Sequence, residues 1–188
     1  MGRIIIGMGL PGSGKTKTLR ELVDKYGYDY VCPDDLRNEM LGNAADQSRN
    51  KEVWDEAYKR VADRLSEGKT VVFDATFADE SQRKNFIVFA REHGAEKIQG
   101  LFVDAPFDVA EERNKARERI VPDHAMKRME KGLRESPPEI ADGFDSLFTV
   151  DEYQKLKTTE LEYHGHVLKR EHETVGGESE ALQEKRKK

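Results

Sequence analysis

The chain of 188 residues has a single cysteine, Cys32. One thiol excludes an internal disulfide framework and any cysteine-based zinc cluster. Long hydrophobic runs are missing too. No apolar stretch approaches the roughly 18 residues that span a bilayer, and the N-terminus lacks the charged-then-apolar layout of a leader. These absences predict a soluble, intracellular (cytoplasmic) protein with no membrane association. Positive charge is not in excess either: 32 Lys and Arg stand against 37 Asp and Glu, for a net charge of −5. Nothing in that average draws the whole chain onto nucleic acid. Internal repeats are absent. Charge of both signs is plentiful, however, at 37% of residues against roughly 25% in ordinary globular proteins, so an extended charged segment is expected.

That segment is the C-terminus. Residues 151–188 hold nine acidic and eight basic side chains, a Gly176-Gly177 pair and a terminal Lys185-Arg186-Lys187-Lys188 run, a texture that predicts a charged extension, disordered in part. Residues 1–150 carry the alternating pattern of a folded unit. Apolar runs near residues 3–9, 29–32, 70–74, 98–104 and 147–150 read as strands. Helical periodicity appears between them, at about 15–25, 49–66, 80–93, 108–117 and 122–133, with a further helix from Leu36. Asp79 followed by Gln82 resembles a capping box. Strands alternating with helices predict an α/β fold, with a parallel sheet of about five strands covered by helices on both faces.

The glycine-rich turn after the first strand can be parsed twice. Gly7-x-Gly9-x-x-Gly12 fits a dinucleotide-binding fingerprint, and Asp34 sits where a ribose-binding acid would. Gly9-x-x-x-x-Gly14-Lys15-Thr16 fits a phosphate-binding P-loop (Walker A). The first parse would put Pro11, Gly12 and Gly14 in the early turns of a helix, where each interior glycine costs about 1 kcal/mol. The second leaves residues 10–13 as open loop and starts the helix at Lys15, so the P-loop is the reading retained. Gly9, Pro11, Gly12, Ser13, Gly14, Lys15 and Thr16 are then the nucleotide-binding set. Backbone N–H groups surround a phosphate, Lys15 reaches the β/γ oxygens of ATP or another NTP, and the Thr16 hydroxyl ligates Mg2+.

A P-loop alone does not separate a switch, a motor and a kinase. Asn-Lys-x-Asp for guanine is absent, and the chain is small for a motor, which leaves phosphoryl transfer. That chemistry needs carboxylates and cations around the transferring group. Asp34, Asp74 and Asp104 fall at strand exits, where ligands bind in open α/β sheets, and Arg37 lies one helical turn beyond Asp34. Arg113 and Arg117, spaced i, i+4, would share a helix face, with Arg119 just beyond. Residues 113–134 hold eight basic side chains against three acidic ones, a local reversal of the global sign that reads as a closing helical lid. His164, His166 and His172 read as solvated side chains rather than a metal site. Trp54 reads as core.

These residues resemble the kinase domain of the phage and bacterial polynucleotide 5′-kinases. The resemblance rests on the P-loop from Gly9 to Thr16, then Pro33-Asp34-Asp35-Leu36-Arg37, Phe73-Asp74-Ala75-Thr76, and Arg113-Asn114-Lys115-Ala116-Arg117 followed by Val121-Pro122, within residues 3–135. It implies that Asp34 is the general base, that Arg37 holds the phosphate next to the acceptor nucleoside, and that Arg117 contacts the transferring phosphate with Arg113 in support. Asp74 would lie with Thr16 on the Mg2+ side. Pro33 and Phe77 depart from the family pattern near the acceptor pocket. The function expected is an ATP-dependent kinase acting on a nucleic-acid hydroxyl, most simply a 5′-OH end of DNA or RNA. The alternatives are a kinase of hydroxymethylated bases in DNA, a small-metabolite or nucleotide-sugar kinase, and a non-catalytic nucleotide-binding module.

Overall fold

Ile4, Ile5 and Ile6 are almost wholly buried because β1 (Gly2–Met8) is the central strand of a sheet covered on both faces. The structure is a computed structural model that describes residues 1–150 and Glu152. After β1 come α1 (Lys15–Tyr26), β2 (Asp29–Val31), α2 (Pro33–Leu41), α3 (Asn50–Ser66) and β3 (Thr70–Asp74). Then follow α4 (Glu80–Glu92), β4 (Ala95–Phe102), α5 (Phe107–Lys115), α6 (Asp123–Glu135), a 3-10 turn (Ile140–Asp142) and β5 (Ser146–Thr149). The strands lie in the order β2-β3-β1-β4-β5, every pair parallel, the α/β sheet that the sequence predicts. The expectations for residues 151 and 153–188, including the charged extension and its histidines, lie outside the described residues.

Side-chain alternation along β1 assigns the two faces. Ile4, Ile6 and Met8 join Val71 and Phe73 in a core shared with Val53, Ala57 and Val61 of α3 and Phe86, Ile87 and Ala90 of α4. Gly7 points the other way, and a Cβ there would meet Leu19 of α1 at 2.3 Å. α1 can therefore lie directly against the sheet only because residue 7 has no side chain.

Several boundaries differ from the sequence reading. α2 begins at Pro33 rather than after Asp35, because proline's fixed φ suits the first helical position and Leu36 N–H already bonds the Cys32 carbonyl at 3.0 Å. Asp34 and Asp35 thus lie in the first turn, where negative charge is favoured by the helix dipole. β4 starts at Ala95, paired with Gly2, and ends at Phe102, so Asp104 stands exposed beyond it. α5 stops at Lys115 and does not carry Arg117. The cause is Asn114, fully buried, whose side chain donates to the Val121 carbonyl at 2.8 Å and accepts from Val121 N–H at 3.1 Å, folding the chain back.

α5 and α6 form the helical cover expected over the P-loop. Met126 and Leu133 of α6 pack with Ala110 of α5 and Leu10 of the loop itself. A Cβ on Gly12 would lie 2.2 Å from the Ala110 carbonyl oxygen, and Gly12 has φ +84°, so both close approach and conformation require glycine there. No helix among the described residues is long and apolar enough to cross a membrane.

Candidate active site

The site follows from the register of β1 against β3. Gly7 pairs with Asp74, so the last residue of β3 stands beside the root of the glycine loop. Gly14, at φ +96° and ψ 0°, ends the loop, and α1 starts at Lys15 with no side-chain cap and no acidic residue in its first turn. This agrees with the P-loop parse and removes the dinucleotide parse, which would begin the helix near Gly9. Lys15 N–H reaches Ser13 Oγ at 3.4 Å, and the N–H groups of the rest of the first turn of α1 stay available to an anion.

Lys15 and Asp74 form an ion pair, both largely buried. The second Asp74 oxygen accepts from the Tyr30 hydroxyl at 2.7 Å. Burial alone would raise the Asp74 carboxyl, but the Lys15 ammonium and hydrogen bonds from Lys15, Tyr30 and Thr16 outweigh it and hold the carboxyl below the ordinary aspartate range. Burial and the neighbouring Asp74 push Tyr30 upward, and the same two causes push the Cys32 thiol up to about 11. Both stay protonated at neutral pH, so Tyr30 remains a donor to Asp74.

A cavity of about 990 Å3 opens above the loop, at the upper end of the range for small-molecule sites. Pro11, Gly12, Gly14, Lys15, Thr16, Asp74, Arg113 and Arg117 line one part; Asp34, Arg37, Gln47, Asn50 and Trp54 line another. The expected site residues are therefore brought together, except Asp104, which is exposed beyond β4 and outside the cavity wall, and two residues of the loop. Gly9 and Ser13 are not in the cavity wall: a Cβ on Gly9 would meet the Val103 carbonyl at 2.5 Å, and Ser13 is buried beneath the Lys15 N–H. They shape the loop from behind. Trp54 packs tilted against Phe73 and edge-on against Phe77, with ring centroids 6.1 and 6.4 Å away, as expected of a core residue, and is also present in the cavity wall.

Asp34 holds two guanidinium groups. Arg37 Nη1 donates to Asp34 Oδ1 at 2.6 Å, and Arg37 Nη2 donates to Asn50 Oδ1 at 2.7 Å. Asp34 Oδ2 forms an ion pair with Arg119, which reaches over from the loop between α5 and α6. Sequence spacing suggests the first contact, but nothing in the sequence signals the second.

Arg83 also went unnoticed in the sequence. It is 1% exposed and donates to Asp142 Oδ2 at 2.9 Å, to the Phe77 carbonyl at 3.1 Å and to the Ser136 carbonyl at 2.8 Å. The end of α6 is thereby tied to the loop after β3, where Phe77 has φ +47°. A signal was present: Arg83 occupies the same stripe as Phe86, Ile87 and Ala90, spaced i, i+3, i+4 and i+7.

Residues 4–136 match the model of the family described as AAA domain. The chain belongs to that family. Among solved structures, a chain of the Pnkp1/Rnl/Hen1 RNA repair complex is similar with a TM-score of 0.65 at 20% identity over 72% of this chain. This chain covers 45% of that one's length. A sugar kinase from Janibacter sp. gives 0.57 at 17% identity, with 86% of this chain and 96% of that one aligned. Shikimate kinase from Acinetobacter baumannii in complex with shikimate gives 0.52 at 15% identity, with 85% and 96% aligned. At such identities the likeness is one of fold, and the fold is that of the P-loop kinases.

Proposed function

We propose that this AAA-domain protein, with its kinase unit in residues 1–150, transfers the γ-phosphate of ATP to a hydroxyl of nucleic acid, most simply a 5′-OH end. One observation carries the reading: a single cavity holds a P-loop and, apart from it, a partly exposed carboxylate braced by arginines, with eight cationic side chains lining it against four anionic ones. Mg2+ offsets part of the ATP charge, so the surplus leaves positive potential for a second anion beside the donor. A neutral metabolite would not need it. The fold likeness to sugar and shikimate kinases keeps a small-molecule acceptor as the second reading.

The residues fit a magnesium nucleotide. Thr16 and Asp74 supply the oxygen ligands that Mg2+ favours, and the uncapped start of α1 supplies N–H groups to phosphate. When bound, the ion would neutralise charge on the phosphate oxygens. Lys15 exchanges Asp74 for the β/γ oxygens of ATP. Arg117, supported by Arg113, offsets charge on the transferring group, and Arg37 binds the phosphate adjoining the acceptor hydroxyl. The acceptor oxygen forms its bond to the γ phosphorus as the bond from that phosphorus to the β–γ bridging oxygen breaks. ADP leaves, and the hydroxyl proton passes to the Asp34 carboxylate.

The test is Asp34→Asn. Transfer of label from γ-labelled ATP to a 5′-OH oligonucleotide should fall by about 100-fold or more, with ATP affinity by calorimetry unchanged. Undiminished transfer would remove Asp34 from the reaction.

A further inference from the structure

The two arginines on Asp34 are not equivalent. Arg37 belongs to the same helix, is 4% exposed in its side chain and is anchored separately by Asn50, so it is a fixed neighbour. Arg119 arrives from the loop between α5 and α6, part of the cover over the P-loop. Its Nη1 is buried yet has no hydrogen-bond partner among the described residues. The contact with Asp34 Oδ2 is an ion pair held from a loop, and a phosphate that meets several guanidinium N–H groups at once would compete for it. Asp34 itself is 44% exposed in its side chain, open enough for water to reach.

We propose that Arg119 is a specificity-determining residue that keeps the site from transferring phosphate to water. This rests on the reading of Asp34 as the base. Without acceptor, Arg119 holds Asp34 Oδ2 and keeps the carboxylate from taking a proton from water lying beside ATP. Hydrolysis would need that step: the water oxygen bonds to the γ phosphorus, the bond to the β–γ bridging oxygen breaks, ADP and inorganic phosphate form, and the water proton goes to Asp34. An acceptor with a phosphate near its hydroxyl offers Arg119 a more strongly bonded partner and draws it off Oδ2. The carboxylate is then released only when a charged acceptor is in place. Water carries no charge and cannot effect the exchange.

The experiment measures inorganic phosphate released from Mg-ATP with no acceptor, by the full chain and by Arg119→Met, Arg119→Lys, Asp34→Asn and the Arg119→Met/Asp34→Asn double variant. Calorimetry confirms that each still binds ATP. Arg119→Met should raise acceptor-free hydrolysis by about tenfold, Arg119→Lys should stay near the parent rate, and the double variant should lose the gain. Arg119→Met should also raise KM for a 5′-OH oligonucleotide more than it lowers kcat. Hydrolysis by Arg119→Met at or below the parent rate overturns the inference, as does a gain that survives in the double variant. If that happens while Asp34→Asn still abolishes transfer to the oligonucleotide, only this inference falls. If Asp34→Asn leaves transfer intact, the reading of Asp34 falls and takes this inference with it.

Discussion

At the scale of residues, the candidate site is organised by charge pairs, Lys15 with Asp74 and Asp34 with Arg37 and Arg119. Lys15 and Asp74 are both largely buried, and an ion pair in such a setting is costly to half-remove. Lys15→Ala should abolish transfer and, by leaving Asp74 uncompensated, reduce stability by about 3–5 kcal/mol at pH 7, measured by urea unfolding. The pH dependence has a definite sign. Asp74 has a depressed carboxyl in the folded state, so its contribution is full above the unfolded aspartate value of about 3.9 and is lost as pH falls through the folded value. The stability gap between parent and Lys15→Ala should therefore narrow below about pH 4. Lys15, Thr16 and Asp34 were legible in the sequence because their spacing within local motifs is fixed by the chemistry. Tyr30 and Arg119 were not, since each meets its carboxylate only after β2 pairs with β3 and the loop after α5 folds back over α2.

At the scale of elements, what positions the site is the join between α6, the loop after β3 and the 3-10 turn. Arg83 makes that join, and removing it takes the guanidinium from Asp142, which keeps only the Glu139 N–H at 3.3 Å and a distant Lys84, and from three backbone carbonyls. Arg83→Met should cost about 3–5 kcal/mol, whereas Arg83→Met with Asp142→Leu should recover part of the loss, because replacing a whole buried pair is far cheaper than breaking it. A double-mutant cycle by chemical unfolding measures this, and strict additivity would show that the two are not coupled. The elements themselves were largely readable from apolar period, glycine stops and the P-loop. The misplaced edges have local causes: Pro33 starts α2 early, and buried Asn114 ends the regular part of α5 before Arg117. Periodicity places Arg117 on the helix because it counts spacing and does not register a side chain that captures the backbone seven residues ahead.

At the scale of the whole molecule, the net charge of −5 conceals a cavity of opposite sign. Among the described residues the positive lining comes from the P-loop and the start of α1, from α2, α5 and α6, and from the loop between α5 and α6, which concentrates attraction for anions in one place. Binding of an oligonucleotide there should depend on salt through a few phosphate contacts. KM for a 5′-OH oligonucleotide should rise about tenfold between roughly 50 and 200 mM salt, while KM for an uncharged acceptor would hardly move. The proposed acceptor of this P-loop kinase fold is a nucleic-acid hydroxyl. The most direct measurement offers γ-labelled ATP and Mg2+ to the full chain with a mixture of acceptors: 5′-OH DNA and RNA oligonucleotides, duplex DNA bearing 5-hydroxymethylpyrimidines, and a set of small metabolites. Label is expected on a polynucleotide, foremost at a 5′ end, and label confined to a small metabolite would show that the acceptor is not nucleic acid.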